Sequence, residues 1–319
     1  MIKKIASERY GKIVETRFGR FFVRIVGEGE PAVWIEPSLG GLSAEWWSIQ
    51  DILAEYTTVI TYDRLGYGWS SQPMNRRRTP SNIADEIAEL IETLGIGNPL
   101  VFIGHSQGGL YIRAFLKEKK QRVAGILLLD PLSPFDKDAK EKLEPDVFRK
   151  SGFDKTRQML SMKLLAQFGL VPLLKSLILK SPPFYYYTSV SDEEKEIIFQ
   201  SIRKRSFYST IIEEYRESHK VANVLGMGKM KEFFSGPIAV LCHDTEVIKK
   251  EIIEYGGLTE SDAQLVDDVW KDLIREYCEL SSKSEFIQVE HASHYIHMSN
   301  PDVVVSKCKD FLKNAIPGN

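Results

Sequence analysis

The sequence predicts an α/β protein: a mostly parallel central sheet flanked by helices, with one inserted helical cap. Two observations carry this. Short apolar segments alternate with segments of helical periodicity up to about Pro131, and the alternation stops until about Ser235 before it resumes. Several of the short segments are apolar at nearly every position, which is how strands covered on both faces read.

The elements follow in order. Arg20 to Val26, Ala32 to Ile35, Thr57 to Tyr62, Leu100 to Gly104 and Val123 to Leu129 are β-branched or aromatic runs bounded by turn residues, hence strands. Thr79 is placed to cap a helix opening at Pro80, with Ile83, Ile87, Leu90, Ile91 and Leu94 at helical spacing and Gly95 as its stop. A second helix follows Gly108, with Leu110, Tyr111, Ala114 and Phe115 inward. Between Pro131 and Ser235 the pattern predicts helices over Asp136 to Lys150, Thr156 to Phe168, Ser191 to Arg205 and Thr210 to Val221. A strand at Pro237 to Cys242 comes next, then a helix capped by Thr259 and Asp262 with Val266, Trp270, Leu273, Tyr277 and Leu280 as its stripe. Glu285 to Val289 is the last strand. Asn300 and Pro301 open a final helix that turns Val304, Cys308, Phe311 and Leu312 inward. Residues 1–131 and 236–319 thus form one doubly wound domain, with 132–235 as the cap.

Composition bounds the function. The chain has 319 residues and weighs 36.4 kDa, with 43% hydrophobic and 27% charged residues, the balance of an ordinary globular enzyme. Lys+Arg is 42 against Asp+Glu 44, so the net charge of −2 gives no basic excess for a nucleic-acid partner. Cys242, Cys278 and Cys308 are too few and too dispersed for a disulfide framework or a metal site, and they fit a reducing, cytoplasmic setting. The early lysines of the N-terminus have no apolar run behind them, so a leader or first membrane span is not expected. The apolar stretch around Leu164 to Leu179 is broken by Gln167, Gly169, Pro172, Lys175 and Ser176. It reads as short helices for which burial in the cap is favoured over a membrane-surface contact.

Chemistry centres on Gly104-His105-Ser106-Gln107-Gly108, a G-x-S-x-G pattern. The five residues alone recur by chance, but here they follow a strand and precede a helix, the context that the pattern requires. A serine on such a turn is strained and lifted clear of the sheet, and its neighbours two residues away must lack a β-carbon. The serine needs a base. Of the six histidines, His105 points away within the turn and His219 belongs to the cap. His243 follows a strand directly, from where it could support the site. His291, His294 and His297 lie just after the last strand, and His294 is the favoured base.

These stretches together are similar to the α/β-hydrolase superfamily, and within it to cap-bearing serine hydrolases. They are Ser38 to Trp47, Tyr62 to Ser70, Gly104 to Gly109, Arg122 to Pro131 and Ser293 to Pro301. The resemblance implies Ser106 as nucleophile, His294 as general base and then acid, and an oxyanion hole of two backbone N–H groups. Those are Gln107 and a residue of the Glu36 to Gly41 loop. Relatives often carry His-Gly where this chain has Pro37-Ser38. Pro37 has no N–H, so Leu39 is the expected donor. The acid is Asp130 or else Asp244 or Glu246, both positions keeping the order serine, acid, histidine; Asp130 is preferred.

Other features read more blandly. The Tyr62 to Ser70 stretch is expected to be a structural turn with local contacts from Asp63 and Arg64. The runs Arg76-Arg77-Arg78 and Arg203-Lys204-Arg205 are expected to be solvated. Phe184 to Tyr187 lines either an acyl pocket or the cap core. Of Trp46 and Trp47, one should pack inward and the other border the pocket. The expected function is hydrolysis of an ester or similar small acyl compound through an acyl-enzyme, without metal or organic cofactor, nucleic-acid partner or stable membrane insertion. A hydrolase-fold ligand receptor, a C–C bond hydrolase and an acyltransferase remain the alternatives. A dehalogenase is disfavoured because position 106 is not a carboxylate.

Overall fold

The computed structural model describes residues 9–97, 99–118, 123–228 and 230–315. Residues 1–8, which bear on the leader argument, and Arg122, the first residue of one stretch noted above, lie outside the described residues. Eight strands form one sheet: β1 Lys12–Thr16, β2 Gly19–Val26, β3 Ala32–Glu36, β4 Val59–Tyr62, β5 Leu100–His105, β6 Val123–Leu129, β7 Ile238–Cys242 and β8 Ser284–Gln288, in the spatial order β1-β2-β4-β3-β5-β6-β7-β8. β1, β2 and β4 pair antiparallel, and all pairings from β4 to β8 are parallel. β1 has no counterpart in the sequence reading. It is a polar edge strand (KIVET), largely exposed, joined to β2 by a hairpin in which Thr16 faces Gly19.

Sheet and helices explain each other. In β5, Leu100 and Phe102 face one layer while Val101 and Ile103 face the other, so an all-apolar strand serves two cores. The first core holds Ile83, Ile87, Leu90 and Ile91 of α1 (Pro80–Thr93) and Leu110, Ala114 and Phe115 of α2 (Gln107–Glu118). The Thr79 side chain accepts from the Asn82 N–H, so the expected cap is present. The second core receives Val304, Cys308, Phe311 and Leu312 from the last helix.

Between β6 and β7 the chain is helical among the described residues. α3 (Thr156–Gln167), α4 (Asp192–Ile202) and α5 (Arg205–Ser218) gather a third cluster, in which Met159, Phe199, Phe207 and Ile211 meet Leu42, Trp47 and Tyr67 from the sheet's loops. Ser191 and Glu194 close a capping box on α4. The helix expected over Asp136 to Lys150 is instead three short pieces. Leu143 is extended and Pro145 starts a new turn, since proline cannot continue the preceding helix. After β7 come α6 (Glu260–Arg275), capped by Thr259, and α7 (Pro301–Ala315). Among the described residues no helix is long and apolar enough to cross a membrane.

Candidate active site

Ser106 sits between β5 and α2 with φ +52°, a left-handed conformation that a side chain rarely adopts. Its backbone is locked from both sides: its N–H donates to Leu129 O at 3.0 Å, and its carbonyl accepts from Leu132 N at 2.8 Å. Both flanking glycines are close-packed, Gly104 against a movable side-chain tip and Gly108 against backbone. A β-carbon on Gly104 would lie 2.5 Å from Ile112 Cδ1, and one on Gly108 would lie 2.3 Å from the Glu36 carbonyl oxygen. The turn therefore abuts the Glu36 to Gly41 loop directly.

Asp130 ends β6 beside this turn, fully buried and also at positive φ, +45°. His294 Nδ1 lies 2.5 Å from Asp130 Oδ2. The His294 backbone is held as well, because its carbonyl lies 2.9 Å from His105 Nε2. Ser106 and His294 therefore share one edge of the sheet. Asp244 stands elsewhere: its carboxylate caps the following turn through the Glu246 N–H at 2.9 Å and accepts from the His291 N–H at 2.7 Å. Glu246 faces Lys249 at 3.1 Å.

The carboxylate of Asp130 carries two more partners. His243 Nδ1 lies 2.7 Å from the same Oδ2, and Trp270 Nε1 donates to Oδ1 at 2.9 Å. His243 in turn places Nε2 2.7 Å from Asp267 Oδ1, and Lys271 lies 2.9 Å from Asp267 Oδ2. Burial alone would raise the Asp130 carboxyl, but the charge and hydrogen bond of His243, with those of His294, hold it well below the usual carboxylate range. Burial opposes a charged His243, yet its two carboxylates push it up to about 9. Cys242 joins Asp130 and His243 with candidate ligand atoms within 4.8 Å of one another. Both His243 nitrogens are committed to carboxylates, however, so the ring has no lone pair to offer a cation. Burial pushes the Cys242 thiol well up, so it is not a thiolate donor.

The loop opposite the turn is fixed by Arg64. This guanidinium pairs with Glu36 at 2.9 Å and donates to the carbonyls of Pro37 at 2.9 Å and Ser38 at 2.6 Å. In a trans peptide the C=O and the next N–H point in opposite directions. Drawing Ser38 O toward Arg64 therefore turns the Leu39 N–H the other way. Gln107, the first residue of α2, anchors its side chain on Ser218 Oγ at 3.0 Å and on the Tyr111 hydroxyl.

A family model of the alpha/beta hydrolase fold matches residues 31–192, a span that runs from β3 through the serine turn and into the helices after β6. The chain belongs to the α/β-hydrolase family. An AB hydrolase superfamily protein of Gibberella zeae is 25% identical over 302 residues, covering 89% of this chain and 87% of that one. A probable transporter of Hormonema carpetanum is 22% identical over 299 residues, which are 91% of this chain but only 41% of that protein's length. Among solved structures, an esterase from Exiguobacterium antarcticum superposes with a TM-score of 0.63 at 13% identity, covering 95% of this chain and 99% of that one.

In this α/β hydrolase the remaining histidines divide by environment. His297 stacks on Trp46 with ring centres 4.1 Å apart, and burial, then the neighbouring His294, pulls it down to about 3. His105 is buried and also held well below its ordinary value, chiefly by burial. His291 is exposed, and His219 bonds Asp136 at 2.9 Å among the helices.

Several expectations change. Arg78 is fully buried rather than solvated, pairing with Glu86 at 2.6 Å and Glu214 at 3.0 Å. Arg64 makes long-range rather than local contacts, adding Glu214 of α5 at 3.3 Å. Both Trp46 and Trp47 are buried. Tyr187 is buried and donates to Glu45 at 2.9 Å, whereas Tyr185 and Tyr186 reach out to Glu251. These two tyrosines line a cavity of about 360 Å³ with Lys180, Lys250, Glu254 and Tyr255, and Ser106 and His294 are not part of its wall. Sequence reasoning missed Trp270 and Asp267 as partners of the buried acid network. They stand three residues apart on α6; Trp270 is read as part of an apolar stripe and Asp267 carries no reading, and nothing local marks either as bonded to a strand-end carboxylate or its histidine.

Proposed function

We propose that this α/β hydrolase cleaves esters, or similar small acyl compounds, through an acyl-enzyme on Ser106. The observation that carries this reading is the junction of a left-handed Ser106 with a His294 ring held by Asp130. With Nδ1–H given to Asp130, His294 presents Nε2 as the basic nitrogen. Nε2 takes the Ser106 proton as Oγ attacks the acyl carbon, and the carbonyl oxygen becomes an oxyanion. The amides of Leu39 and Gln107 receive that charge; removal of one such donor costs about 2.7–4 kcal/mol in enzymes of this kind. His294 then protonates the leaving alcohol. Water, deprotonated by the same nitrogen, attacks the acyl carbon and restores Ser106.

In this reading residues 132–235 act as a cap. α5 lies over the oxyanion loop: Ile211 and Phe207 sit against Gly40, and Thr210 sits against Gly66. These side chains favour an apolar acyl group. The protein requires no metal or organic cofactor for the cycle, because every proton transfer has a side chain. A fluorophosphonate probe tests the reading. One adduct per chain, mapped to Ser106 and lost in Ser106→Ala, is expected, and a folded wild-type protein that stays unlabelled overturns it. A series of p-nitrophenyl esters then gives the preferred acyl length.

A further inference from the structure

α3 is apolar on two faces, and only one of them is used. Met159 and Ala166 are buried, and Met162 and Leu165 pack beside them against Ile198, Phe199 and Ile202. That spacing accounts for the inward stripe. On the other side Leu160, Leu164 and Phe168 stand exposed, the last at 65%. After Gly169 (φ +69°) the chain turns and exposes Leu170, Leu173 at 79% and Leu177 at 64%, while Val171 between them is fully buried. Isolated exposed leucines are commonplace, but six bulky apolar side chains exposed between positions 160 and 177, on consecutive helical pieces that pack on one another, are a local concentration of apolar surface.

Within the segment itself the charge is one-sided, although Lys180 shares a cavity wall with Glu251 and Glu254 and Lys155 lies near Asp136 and Glu251. From Lys155 to Lys180 the chain carries Lys155, Arg157, Lys163, Lys175 and Lys180 and no carboxylate, although the whole protein has a net charge of −2. Lys175 meets an acid from outside the segment, Glu196 at 3.0 Å, in an exposed pair that water and salt weaken. Leucine and phenylalanine tips among lysines on a helix that is firmly seated by its opposite face match a membrane interface. The apolar tips enter the acyl boundary, and the cations face anionic headgroups.

We infer that the 156–180 segment docks this protein reversibly on an anionic lipid surface, through Leu164, Phe168, Leu173 and Leu177 with Lys163 and Lys180 at the headgroups. The inference is independent of the chemistry at Ser106. It replaces the expectation that this stretch is buried, and it requires no membrane span.

Sedimentation with vesicles tests it, comparing phosphatidylcholine alone with phosphatidylcholine containing about one-third phosphatidylserine. Binding to the anionic vesicles is expected, weakened by salt and roughly tenfold stronger than to the neutral ones. A triple Phe168→Ser, Leu173→Ser, Leu177→Ser variant should lose it, and a triple Lys163→Gln, Lys175→Gln, Lys180→Gln variant should lose the preference for anionic lipid. Both variants should keep the wild-type circular dichroism and thermal midpoint, because none of the six side chains is buried. Absence of binding overturns the inference, as does equal binding to neutral vesicles. Binding that survives both triple variants overturns it too. Self-association that the serine variant abolishes, in protein that ignores vesicles, assigns the patch to a second copy instead.

Discussion

His243 and His294 direct a ring nitrogen at the same oxygen of Asp130, at 2.7 and 2.5 Å. The second nitrogen of His243 faces Asp267. Two ionised carboxylates offer only acceptors, so His243 must donate from both nitrogens and is an imidazolium. Asp130 is thus paired with a resident cation, and in the proposed cycle this pairing precedes the gain of a proton by His294. The chain Lys271–Asp267–His243–Asp130 alternates in sign and ties β6, β7 and α6 to His294.

This chain makes stability depend on pH in a defined way. Burial opposes the His243 charge, but Asp130 and Asp267 raise it to about 9, above the roughly 6.5 of an unfolded histidine. Its contribution is therefore complete below about pH 6.5 and is lost as pH rises through 9. Asp130 and Asp267 shift the other way, so theirs is present above about pH 4 and lost on acidification. The thermal midpoint should peak between roughly pH 5 and 6.5 and fall toward pH 9.5. Asp267→Asn removes one of the two carboxylates and should flatten the alkaline fall. An unchanged alkaline slope in that variant would show that His243 is not charged in the fold.

Asp130 and Asp244 are separated by function. Asp130→Asn leaves two imidazoles on a neutral amide, and kcat for a soluble ester should fall by about 10⁴-fold with little change in KM. Asp244→Ala removes a helix cap and the acceptor of the His291 N–H but no contact to His294, and should cost about 1–2 kcal/mol of stability with activity retained. The opposite pattern in steady-state assays would transfer the orienting role to Asp244.

Much of this site is legible in the sequence because its determinants are local. A strand, two glycines and a helix around Ser106 fix the turn, and β6 ends at Leu129 with Asp130 next in the chain, so the place of the carboxylate that meets His294 follows from the strand itself. The contacts of Arg64, Arg78, Asp267 and Trp270 were not legible, because each depends on partners far along the chain: Glu214 lies 136 residues from Arg78, and Trp270 lies 140 from Asp130. A buried arginine in an Arg-Arg-Arg run looks like its exposed neighbours until the fold supplies its carboxylates. β1 escaped notice for a related reason: a polar edge strand is stabilised by its pairing with β2 and has little apolar pattern of its own.

Gly108→Ala tests the packing between the serine turn and the Glu36 to Gly41 loop, the proposed source of the Leu39 amide. The new methyl meets backbone, 2.3 Å from Glu36 O and 2.8 Å from Pro37 O, so no rotamer change relieves it. A loss of about 1–3 kcal/mol in urea unfolding is expected, together with a large fall in kcat as the Leu39 amide is displaced. Gly95→Ala provides the comparison: its φ is +64° but nothing lies within 4 Å of the added carbon. It should cost about 1 kcal/mol through the backbone alone and leave kcat unchanged. Equal kinetic damage from both would rule out contact at the loop as the cause.

Neighbouring arginines in the Arg76 to Arg78 run should behave oppositely. The Arg77 side chain is 63% exposed and pairs with Glu217, so Arg77→Ala should cost about 0–1 kcal/mol. The Arg78 side chain is fully buried between Glu86 and Glu214, and its removal takes the nearest cation from both buried acids, leaving Glu214 to Arg64 and Glu86 to the more distant Arg76, at about 3–5 kcal/mol. Glu214 also accepts from Tyr67 at 2.8 Å and faces Arg64, the residue that holds the Pro37 and Ser38 carbonyls. Loss of Arg78 should therefore loosen α5 over the oxyanion loop and lower kcat at temperatures where the variant is still folded. Denaturation and kinetics on the two variants decide this. Comparable stability losses would mean that the buried pairs carry no more weight than the exposed one, and an undiminished kcat in Arg78→Ala would sever α5 from the loop.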